Sequence, residues 1–234
     1  MAMLCSKKSL VWTFTCLMLF FVTLPLWGAD KDNDEETIRN ATTVLTAMLG
    51  SKDIPQSAIA KADCVVVMPR VKKFAVGIGG TGGRGPMSCR HGADFTGTWS
   101  APAMYTIGGA SAGAQIGGTS TDYVLLIMTK SAVDRVLDSK VKVGSDVTAA
   151  AGPGATAGGK IGGADILTYA RAKGLFAGVS LDGSSLDPDS KANERLYGHA
   201  NSARDVVTSS AIHATPAGKA LVDLLDSKAG KHAE

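Results

Sequence analysis

Residues 64–85 read CVVVMPRVKKFAVGIGGTGGRG, and the architecture follows from how this string is parsed. Its first residues form an unbroken apolar run, the pattern of a strand buried on both faces, and Pro69 marks the end of that strand. Arg70, Lys72 and Lys73 follow as the densest basic cluster beyond residue 29, and a glycine run then leads to Arg84. Glycine contributes 28 of the 234 residues, well above the roughly 7% usual in globular chains, whereas aromatics make up only 6%. A core of this composition is filled by Val, Ile, Leu and Ala, with backbones brought close together where glycine recurs.

Toward the C-terminus the same small-residue character continues through YTIGGASAGAQIGG, residues 105–118, read as a strand packed closely against a neighbour or lining a groove. DYVLLIMTK, from Asp122, has the apolar centre of a central strand, and Ser131 with Asp134 has the spacing of a capping box for the helix that follows. VKVG at 141–144, residues 166–170 and residues 174–183 supply further extended segments. Helices are expected at 34–49, 55–62, after Asp187-Pro188 until Gly198, and after Thr215-Pro216, where Leu221, Leu224 and Leu225 have helical spacing. Strands therefore far outnumber crossover helices. This predicts an α+β fold: a curved, mostly antiparallel Gly-rich sheet or half-barrel, with helices packed on one side and at the ends.

Toward the N-terminus, Lys7 and Lys8 precede an uncharged apolar run over 10–26, and Asp30 then opens a charged segment. Residues 1–29 read as an export signal, with an uncleaved anchor as the alternative. Residues 30–53 form a charged segment and an amphipathic helix, in which Ile38, Ala41, Val44, Leu45, Met48 and Leu49 draw one apolar stripe. Residues 54–234 form the main domain and its C-terminal helices. Past residue 29 the formal charge falls from +3 to +1, because both lysines of the signal leave and no acid does, so a globally basic nucleic-acid binder is not indicated. Cys5 and Cys16 leave as well. Cys64 and Cys89 remain as candidates for a disulfide in an oxidising compartment, and without a His cluster they do not suggest zinc or any other metal.

Three glycine motifs need weighing. Gly77 to Gly82 satisfies GxGxxG but runs into Arg-Gly-Pro rather than a helix, and no acid follows at the ribose-binding distance. Gly154 to Lys160 satisfies GxxxxGK, with Ile161 where a magnesium-ligating hydroxyl belongs. Gly109-Ala110-Ser111-Ala112-Gly113 satisfies GxSxG, and Asp165 or Asp182 with His199 or His213 would complete a serine-esterase order around Ser111. The motif continues into glycines instead of a helix, so the esterase is the alternative reading. No other constellation nominates catalysis, and no cofactor is implied.

Five separated elements, VMPRVKK, WSAP, STD, AGPG and GLFAGVSLDG, occur between residues 60 and 198 in an order that resembles the SYLF domain, a lipid-binding module of yeast actin-patch proteins that also has a bacterial exported branch. The resemblance implies a non-catalytic domain with affinity for anionic phospholipid or a related amphiphile. It also implies an actin role in eukaryotic members, which an exported protein has no filament to perform. Arg70, Lys72, Lys73 and Arg84 are the candidate headgroup contacts, and Trp99 is a candidate for a core anchor or an amphipathic contact. A structural or partner-binding envelope protein is the remaining alternative.

Overall fold

The computed structural model describes residues 27–151, 164–172, 175–176, 181, 183–198 and 202–229. Helix α1 (Trp27–Gly50) and the short α2 (Gln56–Ala60) lead into two long strands, β1 (Cys64–Cys89) and β2 (Ala103–Ile127). Next come α3 (Lys130–Asp138), β3 (Val141–Lys142), β4 (Ala149–Ala151), β5 (Ile166–Ala172), β6 (Leu175–Phe176) and β7 (Ser185–Pro188). Helices α4 (Ser190–Tyr197), α5 (Ala203–Thr208) and α6 (Pro216–Ala229) complete the described chain. The strands form one sheet. β1 runs antiparallel to β2 along its length, and β2 pairs in turn with β5 over 121–127 and with β7 over 105–108. β3 and β6 add to β7 and β5, and β4 joins β5 in parallel. The fold is α+β, with the curled half-barrel sheet that the strand count and glycine content predict.

The curl comes from β1. Its 26 residues, laid straight, would span about 85 Å. Its two ends nevertheless meet: Cys64 and Cys89 form a disulfide with their Cα atoms 4.0 Å apart. The strand is thus doubled over, and its arms touch in sequence, Val67 at Gly85, Val71 at Gly83 and Phe74 at Gly80. A Cβ on Gly85 would overlap the Val67 carbonyl oxygen, so glycine there is required by close approach. The bend falls where the pairing with β2 breaks register, between Val76 and Ile78.

Pro69 does not end the strand, contrary to the sequence expectation. Pro69 and Arg70 stand opposite Asp122 alone, between the pairs Met68–Tyr123 and Val71–Thr121. Such a bulge tolerates a residue with no N–H to give to the ladder. Arg70 takes a φ of 52°, and its backbone N–H donates to Asp122 Oδ1 at 2.7 Å.

The sheet separates two cores. One takes Cys64, Val66 and Met68 from the first arm, Met87 and Cys89 from the second, and Tyr105, Tyr123, Leu125 and Ile127 from β2, and is closed by α3 and α5. The other takes Val65, Val67, Val124 and Leu126 from the opposite face, covered by α1, α2, α4 and α6. The alternation of Tyr123 to Ile127 between the cores makes this the central strand buried on both faces that the apolar run predicts. The α1 stripe of Ile38, Ala41, Leu45 and Met48 is buried as its spacing requires.

Four helix starts differ from expectation. α1 begins at Trp27, ahead of the expected residue 34 and within the stretch read as the signal. Thr129, not Ser131, caps α3, accepting from the Ala132 N–H. Asp187-Pro188 closes β7 rather than opening a helix, and Asp189 caps α4. The linker between the last two expected helices holds α5, started by a capping box of Ser202 and Asp205. Most of residues 174–183, including Gly174 and Asp182, lies outside the described residues.

Candidate functional site

The bulge and the doubling of β1 bring most of the basic cluster to one place. Pro69, Arg70 and Lys72 from the first arm meet Gly82, Gly83 and Arg84 from the second, with Ser120 of β2 and Thr37 of α1, around a depression of about 480 Å³. Arg70 and Lys72 are exposed, and neither forms a salt bridge among the described residues. The depression therefore offers two open cations, two hydroxyl-bearing side chains and a glycine wall without side chains, a surface able to receive a phosphate-sized anion.

Arg84 borders the depression but serves the fold. Its guanidinium donates to Asp34 Oδ1 at 2.5 Å and to Asp189 Oδ2 at 3.0 Å. Arg195 reaches the same Asp34 through Nε at 2.8 Å and through a second nitrogen at 3.2 Å, and this hydrogen bond holds its pKa above the usual arginine value. Asp34 is fully buried, so these bonds carry its burial and tie α1 to β1 and α4. Two arginines and two carboxylates balance, which removes Arg84 from the set of open cations.

Lys73 stands apart from Lys72. Strand alternation turns it to the other face, where its Nζ lies 5.9 Å from the Tyr123 ring centroid and partial burial lowers its pKa. Trp99 requires a correction as a lipid contact. It is 3% exposed, within the helix-covered core, and the Arg90 guanidinium lies 4.4 Å from its ring centroid. The WSAP element is instead a structural corner: Ser100 Oγ accepts from the Cys89 N–H, and Pro102 O accepts from the Tyr197 hydroxyl at 2.6 Å.

Sequence reading does not single out Asp34. Asp34 shares the stripe of Ile38, Ala41, Leu45 and Met48 by three-and-four spacing, and an acid on an apolar stripe signals a buried partner. Arg90 was also missed, and nothing in its neighbourhood in the chain marks it.

The glycine motifs do not form the sites their patterns suggest. Gly77 to Gly82 lies within β1 with no helix after it, and Ser111 lies within β2, opposite Gly79, with no strand-to-helix turn to serve as an elbow. Asp165 accepts from Thr129 Oγ1 and Thr148 Oγ1, both at 2.8 Å, and His213 is exposed. His199, Asp182 and the GxxxxGK motif lie outside the described residues. Among the described residues no three His, Cys, Asp or Glu side chains cluster as metal ligands, and no helix is long and apolar enough to cross a membrane.

The family model described as "Las17-binding protein actin regulator", Ysc84, matches residues 108–228, from within β2 through most of α6. The chain belongs to the Ysc84 family. An SH3 domain-containing protein of Schizosaccharomyces pombe is 40% identical over 157 residues, covering 64% of this chain and 36% of that protein. "LAS seventeen-binding protein 3" of Saccharomyces cerevisiae is 36% identical over 140 residues, 57% of this chain and 30% of its own. "SH3 domain-containing YSC84-like protein 1" of Xenopus laevis is 30% identical over 200 residues, 83% of this chain and 58% of its own. The chain thus spans about a third of the length of the two fungal relatives. The family description and the name of the Saccharomyces cerevisiae relative are those of binding proteins.

Proposed function

We propose that this protein is a non-catalytic lipid-binding module of the cell envelope, taking anionic phospholipid or a related amphiphile at the depression between the arms of β1. The observation that carries this reading is the meeting of Arg70 and Lys72 beside a glycine wall, with their charge turned to solvent. Near an anionic surface each such cation contributes about 1 kcal/mol of attraction, screened by salt. Lys73, on the opposite face of the strand, adds to the field at longer range.

Export supports an envelope location over a cytoplasmic one. The apolar run behind Lys7 and Lys8 has the form of a signal sequence, and the Cys64–Cys89 disulfide suits an oxidising compartment. The family description names Las17 and actin; export would separate this chain from actin filaments, so actin is not proposed here. Those names do favour a second reading, a partner-binding envelope protein without lipid affinity.

Flotation with liposomes tests the choice. The protein is expected to rise with vesicles of phosphatidylglycerol and phosphatidylcholine and to be released by added salt, and joint replacement of Arg70, Lys72 and Lys73 by Gln is expected to weaken retention. Flotation no better than that of an inert control would leave the partner-binding reading.

A further inference from the structure

We infer that Phe74 is the apolar anchor of this surface, its ring entering the acyl boundary of a bilayer while Arg70 and Lys72 meet the phosphates above it. The inference rests on the lipid reading and adds to it a residue and a depth of engagement.

Phe74 is 64% exposed and is the one large hydrophobic side chain left open among the described residues. Its position is set by the fold-over of β1. It follows Lys72 by two residues, so alternation sets both side chains on one face. Its ring rests on Gly80 of the opposite arm, the next contact toward the bend after the glycine wall, and its partner across the ladder is Gly118. Glycine in both places presents no side chain to the ring from either position. The sequence around the bend carries no charge from Phe74 to Gly83 or from Ile107 to Thr119. Arg70, Lys72, Lys73 and Arg84 flank this uncharged stretch.

An exposed aromatic with a cationic margin complements an anionic bilayer on two counts: the ring leaves water for the region below the headgroups, and the cations stay at the phosphate level. A purely electrostatic headgroup site has no use for the ring, and solvent exposure of a phenyl group forfeits its burial.

The processed protein, without the export signal, is compared with its Phe74→Ala and Phe74→Trp variants on vesicles of equal parts phosphatidylglycerol and phosphatidylcholine, with and without bromine on the acyl chains. Phe74→Ala is expected to lower partition about tenfold with an unchanged circular dichroism spectrum. Phe74→Trp is expected to keep its partition, and its extra fluorescence over the wild type is expected to be quenched by the brominated chains. If wild type and Phe74→Ala partition alike, or the added indole is not quenched, the ring stays outside the bilayer; that overturns the inference and leaves the lipid reading standing. Absence of wild-type partition would end both. Loss of partition in Phe74→Ala without quenching in Phe74→Trp assigns the ring to a protein contact and also overturns the inference.

Discussion

The two ends of the doubled β1–β2 ribbon are built from the same strands yet reach opposite physical states. At the open end the Cys64–Cys89 disulfide closes β1, and Ser88, Ser100 and Arg90 are all buried. Arg90 donates to the carbonyls of Ala62 at 3.1 Å, Gly97 at 3.3 Å, Ala60 at 3.4 Å and Ala229 at 3.1 Å. Ala60 and Ala229 are the last residues of α2 and α6, where unpaired carbonyls and the helix dipole both favour a cation. Toward the bend, Arg70 and Lys72 face solvent and Phe74 lies uncovered on glycine. The difference teaches that charge alone does not mark a binding residue. A cation whose donors are taken up by carbonyls or carboxylates holds the fold, and one left to water is available to a ligand.

The contrast is most easily broken at the open end. Arg90→Met strands four carbonyls in or near the core and is expected to lower stability by about 3–5 kcal/mol; urea unfolding measures this, and a loss under about 1 kcal/mol would show that Arg90 is not the clamp. Next comes the contact between the arms. Gly85→Ala drives a methyl into the Val67 backbone and is expected to destabilise by about 2–3 kcal/mol. Gly82→Ala meets nothing within 4 Å and is expected to stay within about 0.5 kcal/mol. Equal losses would mean that the arms do not approach as described.

The smallest effects sharpen the division inside the depression. Arg84→Gln removes one of two partners of a buried carboxylate, at a cost of about 1–2 kcal/mol once the 34% exposure of Arg84 is allowed for. Lys72→Gln is expected to leave unfolding unchanged within about 0.5 kcal/mol while weakening liposome retention. The reverse pattern in thermal melts and flotation would exchange the roles assigned to the two cations.

Much of the architecture was legible from pattern. The apolar stripe of α1, the double-faced run of Val124 to Ile127 and the Pro216 start of α6 each depend on residues within a few positions, and each appears where the sequence places it. Local pattern misled where a neighbour in space supplied the missing group. Pro69 sits inside a strand because Asp122 takes up the Arg70 N–H across the bulge. Thr129 displaces Ser131 as a cap while its hydroxyl also donates to Asp165, thirty-six residues on. Of the proposed contacts, Arg70 and Lys72 share the depression and remain open, Arg84 is engaged, Lys73 is turned away and Trp99 is in the core.

Composition and periodicity by themselves determined a glycine-rich curved sheet, its flanking helices and the region in which the cations would lie, because alternation, helical spacing and caps are properties of short segments. Only the tertiary structure decided which cations are spent and which are offered. That outcome depends on whether a distant element delivers a carboxylate or a carbonyl to the charge, as α1 delivers Asp34 to Arg84 across fifty residues and the second arm of β1 delivers Gly80 to the ring of Phe74.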